Sequence, residues 1–238
     1  MDLRWWWVRH APVVGHRGEL NGQRDVPCDT SDSRAFAALA AVLPADAVWV
    51  TSHLSRARDT AAAILSARAG ESSCGGTPID VTRASYDAPL SGRAVMAPGG
   101  AVPAPPIIEP DFSEQSFGDW AGYTWEEIAL RDPAESRRFW TDPVGLAPPG
   151  GESFAALMAR VAAAIERFSA EEEGDIVAVA HGGVIRAAIA LALGLDPKRA
   201  MAVAVDNLSL TRLDRIAGGT LRGKGGAWRV VAVNRPPY

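Results

Sequence analysis

The stretch Ile176-Val177-Ala178-Val179-Ala180 constrains this chain more than any other. Five consecutive apolar residues, bracketed by Asp175 and His181, suit a central strand buried on both faces. The next residues, His181-Gly182-Gly183-Val184-Ile185-Arg186, start a helical pattern at once. A strand emptying into a helix implies a largely parallel sheet with helices on its faces. The same punctuation occurs twice more: Trp5-Trp6-Trp7-Val8 ends in Arg9-His10-Ala11-Pro12, and Ala47-Val48-Trp49-Val50 ends in Thr51-Ser52-His53. Ligands of open α/β sheets bind beyond the carboxyl ends of the strands. Three strands therefore deliver polar side chains to one edge.

Helices fit between these strands. Ser31 or Asp32 caps a helix carrying Ala35, Phe36, Leu39, Val42 and Leu43 on one face, and Pro44 stops it. A second runs from about Ser55 to Ala69, a third from about Thr124 to Arg131, and a long amphipathic one from Ser153 to about Glu172 with Phe154, Leu157, Val161, Ala164, Ile165 and Phe168 inward. Val203 to Val205, Leu208 to Leu213 and Trp228 to Val233 read as further strands, some antiparallel at an edge, with Ile79 to Val81 and Ile107 to Glu109 as short ones. The expected fold is a three-layer α/β sandwich with a mostly parallel central sheet. Residues 1–238 read as one domain, with the Gly- and Pro-rich stretch 70–110 as an insertion or lid.

Composition narrows the partners. At 238 residues and 47% hydrophobic the chain can bury a substantial core, and its net charge of −4 supplies no basic field for nucleic acid. The apolar run Val184 to Leu195 is broken by Arg186 and falls short of the roughly 20 residues a membrane span needs. Cys28 and Cys74 belong to no metal-spaced cluster, so a reducing, cytoplasmic setting is the expectation, with room for one long-range disulfide. An uncovered edge strand or an apolar helix face would support a homodimer.

The residues gathered at the edge can bind an anion and do chemistry beside it. Guanidinium groups bind oxyanions in planar, bidentate fashion, an imidazole can act as base, acid or nucleophile, and a carboxyl group can serve as a general acid. In Ser55-Arg56-Ala57-Arg58, residues two apart face different ways on a helix, so one arginine meets the site and the other solvent. Glu114 lies in an irregular segment among aromatics and glycines, where partial desolvation would raise a carboxyl pKa.

Arg9-His10, Ser52 with Arg56-Ala57 and Thr60-Ala61, Glu114 with Phe117-Gly118-Asp119-Trp120, His181-Gly182-Gly183 and Asn207 together resemble the histidine phosphatase superfamily, also called phosphoglycerate-mutase-like. The resemblance runs from the first strand to Asn207. It implies that His10 is a nucleophile forming phosphohistidine, that Arg9, Arg56 and His181 clamp the phosphoryl oxygens, that Glu114 is the proton donor, and that neither metal nor other cofactor is needed. Gly182, beside His181, is added to the substrate-binding set. The family's usual Arg-His-Gly, followed by a polar and a hydroxyl residue, is here Arg9-His10-Ala11-Pro12-Val13. Asn21, Gln23 or Arg24 are the candidates to replace the lost polar groups.

The Ala11-Pro12 variant and the short link to Gln23-Arg24-Asp25-Val26-Pro27 are similar to the phosphatase branch, including α-ribazole phosphatase. The implied activity is metal-independent hydrolysis of a small phosphate monoester, without nucleic-acid or membrane partners. The alternatives are a phosphoglycerate-type mutase and a non-catalytic phospho-ligand binding protein; loss of His10, Arg56 or His181 would mark the latter, and all three are present. His53 stands where the family commonly has proline, at the site or behind it, and His16 has no evident partner in the sequence. Trp120, Tyr123 and Trp125 suit either a ring-bearing substrate or packing, and Glu152 either bonds the site or favours the start of its helix.

Overall fold

The computed structural model describes residues 2–70, 105–220 and 227–238. Strand β1 (Leu3–Arg9) lies beside parallel β4 (Gly174–Ala180) in a six-stranded sheet ordered β3-β2-β4-β1-β5-β6, with β2 at Val48–Thr51, β3 at Ile107–Ile108, β5 at Leu210–Arg215 and β6 at Trp228–Arg235. β2 is parallel to β3 and β4, whereas β5 is antiparallel to β1 and β6. Only β5 runs against the rest, in keeping with a mostly parallel sheet. Ile176 through Ala180 are fully buried, as a central strand covered on both faces requires.

Helices α1 (Ser33–Val42) and α2 (Ser55–Arg68) share one core with one face of the sheet, and α5 (Phe154–Glu171) and α6 (Gly182–Leu193) share another with the opposite face. This is the expected three-layer α/β sandwich. Asp32 caps α1 by accepting the Ala35 N–H, and Leu43, extended ahead of Pro44, ends it. Trp5 and Trp7 stack at 5.0 Å on the α5 and α6 side, with Phe112 edge-on to both. Each indole buries roughly 200 Å², worth at most about 5 kcal/mol. Phe112 thus ties the segment leading to Glu114 to the centre of the sheet.

Several elements depart from the sequence reading. Helix α3 (Trp125–Arg131) is joined by a neighbour, α4 (Pro133–Thr141), that the periodicity did not reveal; Asp132 caps it and Pro133 occupies its first turn. A four-residue turn, α7 (Pro197–Ala200), follows α6. Residues 203–205 form no strand, and the Val205 carbonyl accepts a hydrogen bond from the Arg9 guanidinium instead of a ladder partner. Ile107–Ile108, at the end of the supposed insertion, is an edge strand. The strand expected at Ile79 to Val81, Cys74 and the rest of residues 71–104 of the supposed lid lie outside the described residues.

Candidate active site

β1 and β4 are parallel with Arg9 opposite Ala180, so the residues that follow, His10 and His181, emerge side by side. Their ring centroids are 5.1 Å apart. The turn after β1 is tied down on every side. The His10 N–H donates to Ala180, the Asn207 amide donates to the His10 carbonyl at 2.7 Å, Leu208 N–H donates to the Arg9 carbonyl, and Ala11 N–H donates to the Thr60 hydroxyl.

His10 Nδ1 lies 2.7 Å from the Ala11 carbonyl oxygen. A carbonyl can only accept, so Nδ1 carries the hydrogen and the Nε2 lone pair is free. Burial, followed by the nearby Arg56 charge, lowers the His10 pKa to about 3, despite the opposing Ala11 bond. The ring is therefore neutral at physiological pH, as a nucleophile must be. His181 is fully buried, and desolvation and the proximity of His10 and Arg56 hold its pKa well below the ordinary value. Its Nε2 is 2.7 Å from the Ser52 hydroxyl at the end of β2.

Arg56, 1% exposed in the first turn of α2, donates to the carbonyls of Gly22 at 2.6 Å and Arg24 at 2.8 Å. Arg58 is only partly buried and does not line the cleft, so the two arginines divide as their spacing requires. Burial lowers the pKa of both Arg9 and Arg56, an effect countered by the Glu114 charge. Arg9 Nε, Arg56 Nε and His181 Nδ1 are buried without a hydrogen-bond partner among the described residues.

Glu114 comes from irregular chain between the 3-10 turns Pro110–Phe112 and Gly118–Trp120. Helix α6 has no side-chain cap of its own, and the Glu114 carboxylate accepts the Gly183 N–H at 3.1 and 3.3 Å, together with its neighbour's amide, Gln115 N–H, at 3.0 Å. A Cβ at position 183 would lie 2.4 Å from Glu114 Oε1, so glycine admits the carboxylate here. The carboxylate is thus held by a helix N-terminus and by its neighbour's N–H.

A cleft of about 270 Å³ is lined by Arg9, His10, Arg56 and Glu114 and also by Asn21, His16, Glu19, Leu20, Phe117 and Asn207, whereas His181, fully buried beside His10, is not part of the lining. Asn21 lies where a replacement polar group was expected. Gln23 does not line the cleft: its amide donates to the Glu114 carbonyl at 3.0 Å. Gly182 lies beside the Arg9 guanidinium, its Cβ position 3.7 Å from Nε, and is also absent from the lining. Residues 22 and 24 serve the site through their carbonyls on Arg56. His16, given no partner by the sequence, reaches the cleft with its Nδ1 3.5 Å from Glu19. His53 instead bonds Ser113 outside the cleft lining. Trp120, Trp125 and Phe139 pack on one another, which accounts for these tryptophans without a ligand. Asn207, Thr60 and Arg160 support the site in ways that strand and helix patterns do not disclose.

The chain is 38% identical over 88 residues to a bifunctional protein of Mycobacterium tuberculosis, covering 37% of this chain and 24% of that one. It is 37% identical over 86 residues to a metal-independent phosphoserine phosphatase of Arabidopsis thaliana, covering 35% and 36% of the two chains. The matches thus span about a quarter to a third of these relatives' lengths. The fold superposes on a putative α-ribazole-5'-P phosphatase of Escherichia coli with a TM-score of 0.72 at 21% identity, covering 98% of this chain and 97% of the other. A family model, histidine phosphatase superfamily (branch 1), matches residues 93–229, a span that holds Glu114 and His181, while Arg9, His10 and Arg56 precede it on β1 and α2. By that match, the chain belongs to the histidine phosphatase superfamily, branch 1.

Proposed function

We propose that this protein is a metal-independent phosphomonoesterase that hydrolyses a small phosphorylated metabolite through a phosphohistidine at His10. The observation that carries this reading is the meeting of a neutral imidazole, its Nε2 free, with three buried nitrogen atoms that lack partners: Arg9 Nε, Arg56 Nε and His181 Nδ1. Unpaired buried donors are costly, and a phosphoryl group would satisfy them. With Ser52 donating to Nε2, the hydrogen of neutral His181 sits on Nδ1. All three are then donors.

In the first step the His10 Nε2 lone pair attacks phosphorus, the P–O ester bond breaks, and Glu114, which enters this step in its protonated form, gives its proton to the departing alcohol. In the second, Glu114 takes a proton from water as the water oxygen attacks phosphorus, and the P–N bond breaks to return neutral His10. The arginines and His181 stabilise the charge on the phosphoryl oxygens in both steps, which assigns no task to a metal. Among the described residues the outer cleft offers His16 beside the Glu19 carboxylate and no further arginine or lysine. That favours hydrolysis of a monoester over a mutase that must seat a second phosphate. The names of the Arabidopsis and Escherichia coli proteins, both phosphatases, support the same choice. A single domain over 1–238 belongs to this reading, as does a cytoplasmic setting. Among the described residues no helix is long and apolar enough to cross a membrane.

The test is phosphate release from a panel of sugar, nucleotide, glycerate and amino-acid monophosphates in excess EDTA, with His10→Ala alongside. Turnover by the wild type alone, with an acid-labile phosphoenzyme trapped in it, is the expected result. Loss of activity in EDTA, or equal turnover by the variant, would overturn the reading.

A further inference from the structure

We propose that Arg160 is a positioning residue that sets where Glu114 stands, a role that rests on reading Glu114 as the proton donor. Glu114 lies between two short 3-10 turns, Pro110–Phe112 and Gly118–Trp120, where no ladder or helix holds its backbone. Arg160, on α5, takes up that task with all five of its N–H donors. Nη1 donates to the carbonyls of Asp111 at 2.6 Å and Ser113 at 2.8 Å. Nη2 donates to the Glu114 carbonyl at 3.2 Å and to Glu152 Oε1 at 2.6 Å, and Nε donates to Glu152 Oε2 at 3.0 Å. Glu152 extends the clamp: Oε1 accepts the Ser116 N–H, its own N–H donates to the Ser116 carbonyl, and its carbonyl accepts the Gln115 amide.

An exposed ion pair would add little, but here both side chains are about four-fifths withdrawn from water. The charge-assisted, bidentate pairing fixes the guanidinium plane, and that plane fixes the three carbonyls of residues 111, 113 and 114. α5 in turn is anchored through Leu157, Val161 and Ala164 in the core that contains Trp5, Trp7 and Ala180. Arg160 therefore carries the core packing of α5 to the backbone of Glu114, alongside the Gln23 amide and the α6 N-terminus. Lysine, with a single ammonium, cannot reproduce a five-donor planar fork.

The experiment compares Arg160→Lys with Glu114→Gln on two substrates: an alkyl phosphate, whose leaving group needs a proton, and p-nitrophenyl phosphate, whose leaving group does not. Glu114→Gln is expected to depress kcat/KM selectively on the alkyl ester. Arg160→Lys is expected to do the same by about 10- to 100-fold, with p-nitrophenyl phosphate changed by about twofold or less, and to add no further selectivity in the Glu114→Gln background. Equal losses on both substrates, or additive selectivity in the double variant, would show that Arg160 is merely structural. Selectivity in Glu114→Gln without it in Arg160→Lys removes the Arg160 role alone; its absence from Glu114→Gln removes both assignments. Should Arg160→Lys fail to fold, Glu152→Gln keeps the carbonyl bonds and loosens the pairing. A smaller loss of the same selectivity is expected there, and a wild-type substrate ratio would overturn the proposal.

Discussion

The two walls of the cleft are held by different means. On one side, Arg9, His10 and His181 stand at the ends of adjacent parallel strands, and His10 takes its backbone bond from the end of β4 itself. On the other, Glu114 sits in irregular chain, located by a guanidinium on its backbone and by the N-terminus of α6 on its carboxylate. A sheet has many ladder bonds that share any local loss. Glu114, outside any ladder, has only the Arg160 and Gln23 donors on its carbonyl and the α6 N-terminus and its neighbour's N–H on its carboxylate. The position of the proposed nucleophile should accordingly survive single substitutions that the position of the proposed acid does not.

Four results would break or sharpen this contrast. Replacing His10 by alanine should lower phosphate release at least ~10⁴-fold with the far-UV circular dichroism spectrum unchanged; a smaller loss would mean that the strand wall does not hold the nucleophile. Removing one phosphoryl donor, Arg56→Met or His181→Ala, should cost about 10²- to 10³-fold in kcat on every substrate, whatever its leaving group. A dependence on leaving group there would blur the division between the walls. Gly183→Ala, which crowds Glu114 Oε1, should cost about 10-fold on alkyl phosphates and far less on p-nitrophenyl phosphate, and steady-state kinetics on both esters reads the difference.

The smallest effect is on stability. Between the ordinary histidine pKa of roughly 6.5 and about 3, the unfolded chain binds a proton at His10 that the native state refuses. His181 adds in the same direction. Stability should thus rise with pH across that window and fall on acidification, by at most about 1.4 kcal/mol per pH unit for each histidine. Urea unfolding of wild type and His10→Gln at pH 7.0 and 5.5 measures it, with a shallower fall expected in the variant. For the same reason, protonation of His10 should not set the acid limb of kcat/KM in the ordinary histidine range.

Much of the strand wall was legible in the sequence because it is local. Apolar runs ending in Arg9-His10, Thr51-Ser52 and His181-Gly182 announce both the strands and what stands at their ends. The loop wall was less so. The chemistry of Glu114 was visible, but the donors that hold it come from residues 23, 160 and 183, far apart in the chain. Arg160 lies among the apolar positions of an amphipathic helix, where an arginine reads as a solvated side chain. Of the aromatics flanking Glu114, Phe117 lines the cleft with it, while Trp120 packs away on Phe139.

By itself, the sequence determined the α/β class, the central strand, the mostly parallel order and the identity of the chemical groups at the strand ends. Periodicity, caps and chain breaks act within a few residues and are written in the order of the chain. Tertiary structure decided which ring nitrogen of His10 is free, that Gln23 braces Glu114 instead of lining the cleft, that His16 reaches it, and that Val205 lends a carbonyl to Arg9 rather than joining the sheet. Each of these depends on where hydrogen-bond donors and acceptors from distant segments meet, and only the closed core brings those segments together.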